Sequence, residues 1–185
     1  MTTQSEPAIR AVPDGSPGAE AEPKRKSMAL VASKGGLDEV YPVLIMASTG
    51  AALGWDVQIF CTFYGLDIVN AKRNKNLKVS AVGNAASPPP LAGGPEFRVP
   101  AIIGILPGMN GVATWMMKRW MKNSNIPEVT DMMQLCLDSG VKFHACATTM
   151  GVMNVTQEDI IPEASCLGAA AFLDFASQAD VALFV

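Results

Sequence analysis

Two apolar runs separated by one helix-length segment constrain this chain most. Ser27-Met28-Ala29-Leu30-Val31-Ala32-Ser33 is continuous and apolar, without alternation of polar residues. That pattern suits a central strand of a parallel sheet, buried on both faces. Lys34-Gly35-Gly36 reads as a turn, and Asp38 and Glu39 fall in the first turn of a helix, where the dipole favours negative charge. Pro42 stands near the helix start, where its missing N–H is tolerated. The helix runs to about Leu53, Gly54 closes it, and Asp56-Val57-Gln58-Ile59-Phe60-Cys61-Thr62 is the second strand. A strand–helix–strand unit of this size implies a right-handed crossover and a parallel sheet. The fold class is α/β.

The remainder extends the same plan around one interruption. Phe63-Tyr64-Gly65-Leu66-Asp67 opens a short helix. Residues 71–94 then carry Ser87-Pro88-Pro89-Pro90, and Gly93-Gly94-Pro95 follows, which predicts a long mobile insertion. A helix is expected over residues 112–122. Another begins at Pro127, placed at its first position, and reaches Asp138 before Ser139-Gly140. A strand follows over residues 141–147, then a helical turn over 148–155 and a capped turn from Thr156 to Asp159. A strand over 164–167, a helix over 168–178 and a buried strand over 181–185 complete the chain. The expected architecture is a doubly wound, mainly parallel sheet of about five strands with helices on both faces. Residues 1–26, rich in Pro, Gly, Ala and Glu, read as a disordered tail. Residues 27–185 then form one domain with an irregular insertion around 71–111, and Lys24-Arg25-Lys26 is the solvated flank of the first strand.

The chemistry concentrates in Lys142-Phe143-His144-Ala145-Cys146-Ala147-Thr148-Thr149-Met150-Gly151. A short buried strand there ends in a cysteine, and small hydroxylated residues follow. Such a strand delivers a thiol to the start of a helix, where backbone N–H groups favour a thiolate. The competing reading is that Cys146 is a small buried hydrophobe. Thr148 and Thr149 can offer hydroxyl or backbone donors to the sulfur. His144, two residues upstream, alternates to the same sheet face, either to tune the thiol or as a hydrogen-bonded structural residue.

Composition narrows the field. The 185 residues are 49% hydrophobic with a net charge of −3, enough for a sizeable core and unsuited to nucleic acid. The four cysteines (Cys61, Cys136, Cys146, Cys166) form no C-x-x-C pair, and a single histidine leaves little for a metal site. No cofactor and no metal are expected. The N-terminus has no apolar signal core, so the expectation is an intracellular, cytoplasmic protein with reduced thiols. Residues 99–117 are uncharged and approach the length of a membrane span, but Pro100, Gly104, Pro107, Gly108 and Gly111 interrupt them. The Met- and Trp-rich helix of residues 112–122, with Lys118, Arg119 and Lys122, is read as a subunit or partner interface. Contact with a membrane surface through Val99–Lys122 is the alternative.

Three segments carry a resemblance: SKGGLDEVYPVLIMASTGAALGWDVQIFCTFYGL, PGMNGVATWMMKRWM, and VKFHACATTMGVMNVTQEDII with the tail LGAAAFLDFASQADVALFV. In order and spacing the chain resembles the DsrE/DsrF/DsrH-like family, especially its peroxiredoxin-like branch, over nearly all of residues 27–185. Cys146 falls on the family cysteine, and Asn154 stands where the family often has glycine. The resemblance implies sulfur handling: a cysteine takes up sulfane sulfur as a persulfide and passes it on in sulfur-compound metabolism. The implied partners are a rhodanese-type sulfurtransferase, a TusA-type carrier and further copies of the chain. The implied role is that of a carrier rather than a multiple-turnover enzyme, with Cys146 as the reacting residue. A non-catalytic adaptor of the same fold is the competing function. A thiol peroxidase ranks below both, since the chain shows no thioredoxin-fold peroxidatic motif.

Overall fold

A computed structural model describes residues 25–79 and 108–185. The expected tail and the centre of the expected insertion lie outside those residues. The sheet comprises β1 (Ser27–Ala32), β2 (Asp56–Cys61), β3 (Lys142–Cys146), β4 (Ser165–Leu167) and β5 (Val181–Phe184), in the order β4-β3-β2-β1-β5. Each neighbouring pair is parallel. The chain thus steps outward from β1 to β4 and then returns to the far side of β1.

Side-chain alternation divides the sheet into two unequal faces. Leu30, Ile59 and Phe143 stand in one cross-strand row on the first face, flanked by Met28, Ala32, Val57, Cys61 and Ala145. Helices α1 (Leu37–Ala52), α2 (Leu66–Val69) and α4 (Val129–Asp138) bury their apolar residues in this cluster. Tyr41 on α1 donates its hydroxyl to the Pro127 carbonyl at 2.9 Å, joining α1 to the start of α4. On the second face Ala29, Phe60 and Cys146 meet Phe172 of α6 (Ala169–Ser177). Phe60 and Phe172 stack with centroids 4.7 Å apart. Helices therefore lie on both faces.

Two helices differ from their sequence-based expectation. The helix expected from Pro127 begins at Val129, with Glu128 as its cap. Pro127 is used as a carbonyl acceptor instead. Helix α3 spans Met109–Asn123, beginning earlier than residue 112. Its inward side carries buried Thr114 with Met117 and Met121, whereas Val112 and Trp115 are exposed. The Thr114 hydroxyl accounts for this: it donates to the Asn110 carbonyl at 2.6 Å and accepts the Val79 N–H at 3.0 Å, so it turns inward. None of the described helices is long and apolar enough to cross a membrane.

Candidate functional site

Strand β3 alternates Phe143 and Ala145 into the first-face core with His144 and Cys146 on the second face. Burial of the first pair sets the register, because a one-residue slip would move both out of that cluster. Cys146 is therefore held at the carboxyl end of β3, and the chain passes directly into α5 (Ala147–Val152). The first N–H groups of a helix lack intrahelical acceptors. Here the backbone N–H groups of Thr148 and Thr149, at the start of α5, favour the thiolate of Cys146. The hydroxyls of Thr149 and Thr62 favour it as well. Those hydroxyl oxygens lie 2.9 Å apart, across two strand ends.

These contacts decide the ionisation. Burial, with only 5% of Cys146 exposed, pushes the thiol up. The hydrogen bonds from Thr149, Thr62 and Thr148 outweigh that and leave it below its ordinary value. Cys61 and Cys136 have burial without such donors and are pushed up to about 12 and about 11. Cys166 is exposed on β4. It stands in register with Ala145, on the sheet face opposite Cys146. A thiol lowered by the fold stays reactive as pH falls, until pH drops through the folded value. Its stabilising contribution is complete above the unfolded value and is lost over the same fall. Alkylation followed by peptide mapping should thus find Cys146 labelled at lower pH than an ordinary thiol, with Cys61 and Cys136 inert. Labelling of Cys166 with Cys146 untouched would contradict this.

Of the residues expected around the thiol, Thr148 and Thr149 converge on it and His144 does not. His144 shares the face, yet its Nδ1 meets the Ser165 hydroxyl at 2.7 Å and its Nε2 meets Gln58 Oε1 at 3.0 Å. Burial and Lys142 lower its basicity, partly offset by Asp56, so the neutral ring bridges β2, β3 and β4. Thr62 was not anticipated. The available signal was its place at the end of β2, since parallel strands gather their carboxyl ends on one edge.

Asn154, just beyond α5, has φ +52°, in the left-handed region that glycine and asparagine tolerate. Asn154→Gly should therefore keep full stability. Asn154→Val should lose about 1–2 kcal/mol in thermal or urea unfolding. Equal stability of the two variants would contradict the turn assignment.

Among the described residues no group of three or more His, Cys, Asp or Glu is placed to hold a metal ion.

The sequence profile of the DsrE/DsrF/DrsH-like family matches residues 24–184. Sulfur carrier protein DsrE2 of Allochromatium vinosum is 39% identical over 162 residues, covering 88% of this chain and 99% of that protein. A Bacillus subtilis protein, the uncharacterized protein YrkE, is 28% identical over 162 residues, covering 86% and 97%. Among solved structures, the ychN protein from E. coli superimposes with a TM-score of 0.50 at 11% identity, covering 86% of this chain and 99% of that one. That likeness concerns the fold alone.

Proposed function

Because the chain belongs to the DsrE/DsrF/DrsH-like family, we propose that it carries sulfane sulfur as a persulfide on Cys146 and passes it between a sulfurtransferase and an acceptor. The observation that carries this reading is the place of Cys146 at the junction of β3 and α5, beside the Thr62–Thr149 hydroxyl pair, with its thiol held below the ordinary value. The 39% identical relative named as a sulfur carrier supports the general role. In loading, the Cys146 thiolate attacks the outer sulfur of a donor persulfide. A new S–S bond forms to Cys146, the donor S–S bond breaks, and the donor leaves as a thiolate. In unloading, an acceptor thiolate attacks the outer sulfur and Cys146 is regenerated.

A rhodanese-type sulfurtransferase as donor, a TusA-type carrier as acceptor and a cytoplasmic location complete the proposal. Self-association through α3 belongs to it too: Trp115 is 64% exposed beside Val112, an apolar pair open to a partner. Trp115→Glu should shift a homo-oligomer toward monomer in ultracentrifugation while Cys146 remains reactive. Binding of the wild-type helix to anionic liposomes by a monomeric protein would favour a membrane contact instead. The carrier reading is tested by intact mass after incubation with polysulfide or thiosulfate. A gain of one or more sulfur atoms is expected, and no gain with either reagent would favour the adaptor.

A further inference from the structure

Thr62 belongs to a different strand from the thiol it touches, and its hydroxyl can rotate where a backbone N–H cannot. We infer that Thr62 is a positioning residue for the Cys146 sulfur, acting with Thr149 as a pair of hydroxyls that redirect their protons as charge on the sulfur changes. The inference deepens the carrier reading by describing how the same site accommodates its several charge states.

The Oγ1 atoms of Thr62 and Thr149 lie 2.9 Å apart, and both hydroxyls act to hold the Cys146 thiol down. With a neutral thiol these three groups carry three protons, so they can close a ring in which each donates once and accepts once. Loss of the thiol proton leaves two protons. Both then turn onto the sulfur, because a hydrogen bond to a charged acceptor is about twice as strong as a neutral one. In the persulfide, charge moves one atom outward. A hydroxyl turning about its C–O bond can follow that charge, whereas the N–H groups of Thr148 and Thr149 remain aimed by α5.

The backbone holds Thr62 where this requires. Its N–H donates to the Ala32 carbonyl at 2.9 Å, and its own carbonyl accepts from Gly65 at 2.9 Å. A Cβ at Gly65 would overlap the Ala32 carbonyl oxygen, and one at Gly35 would overlap that of Tyr64. The loops after β1 and β2 are thus pressed together. Between them Phe63 adopts φ +47°, an unfavourable conformation for an aromatic residue, of the kind that persists where surrounding structure enforces it. On the same face Ala29, Phe60 and Phe172 cluster with Cys146, and Leu167 of β4 packs against that cluster. His144, on the same strand face, is occupied by Ser165 and Gln58. Among the described residues, the groups acting on the sulfur's charge are those of the three threonines.

The experiment compares wild type, Thr62→Val and Thr62→Ser by alkylation across pH, with peptide-level mass spectrometry reading each cysteine. Thr62→Val should move the Cys146 profile upward by about one pH unit, roughly a tenfold loss of thiolate below the midpoint. Thr62→Ser should restore the wild-type profile. Exposed Cys166 should be labelled to the same extent in all three, and Cys61 and Cys136 should stay unlabelled, reporting an intact fold. A Val profile that coincides with wild type overturns the inference. So does a Ser variant shifted like Val, or labelling of Cys61 and Cys136 in Val, which would make Thr62 merely structural. Polysulfide loading of wild type separates the two claims. An unshifted Val profile with loading present overturns only the role of Thr62, whereas a shifted profile without loading overturns only the carrier reading.

Discussion

Phe143→Ala is expected to destabilise the protein by roughly 3–5 kcal/mol. Phe143 is 1% exposed in the middle of β3, in register with Ile59 and within the first-face cluster. Removing its ring opens a cavity that the neighbouring strands, tied by backbone ladders, can close only in part. Folded domains hold about 5–15 kcal/mol in total, so this one change should remove a large share. Urea unfolding should show a lower midpoint with an unchanged slope. A loss below about 1 kcal/mol would place Phe143 outside the core. The effect reaches the site, because Phe143 and Ala145 set the register that presents Cys146.

Much of this arrangement is legible in the residues themselves. The unbroken apolar run of β1 announces a strand buried on both faces, and Met28, Ala29 and Leu30 do pack into clusters on opposite sides. Cys146 is legible as a strand-end thiol because a buried apolar run precedes it and helix-starting residues follow. Thr62 is not, since its contact with Thr149 spans 87 positions and depends on β2 and β3 being neighbours. The same limit applies to His144, whose alternation places it beside the thiol while Ser165 and Gln58 engage both ring nitrogens. Pro127 illustrates a local ambiguity: proline suits a first helical position, yet its carbonyl is held by Tyr41, 86 residues away. The inward turn of α3 likewise follows from the Thr114–Val79 bond across 35 positions, which its own periodicity does not contain.

Cys146→Ser should abolish sulfur uptake, whereas Cys166→Ser should leave it at the wild-type level. Serine preserves the shape of the site and its hydrogen-bonding capacity but cannot form a stable S–S bond. Cys61 and Cys136 cannot substitute, since burial keeps both as neutral thiols at ordinary pH. Cys166 is accessible but stands on the other sheet face. Uptake should therefore fall to background in Cys146→Ser, with its unfolding midpoint close to wild type. Retained uptake in a folded Cys146→Ser protein would move the chemistry to another thiol.

Carriage requires both gain and release of sulfur at one atom. The most direct measurement loads the wild-type protein with isotopically labelled sulfane sulfur, removes excess donor, and adds a TusA-type acceptor while peptide mass spectrometry follows each cysteine. Label is expected on Cys146 after loading, followed by its loss from Cys146 with matching appearance on the acceptor. Label that settles on Cys166, or stays on Cys146 whatever acceptor thiol is supplied, would contradict it.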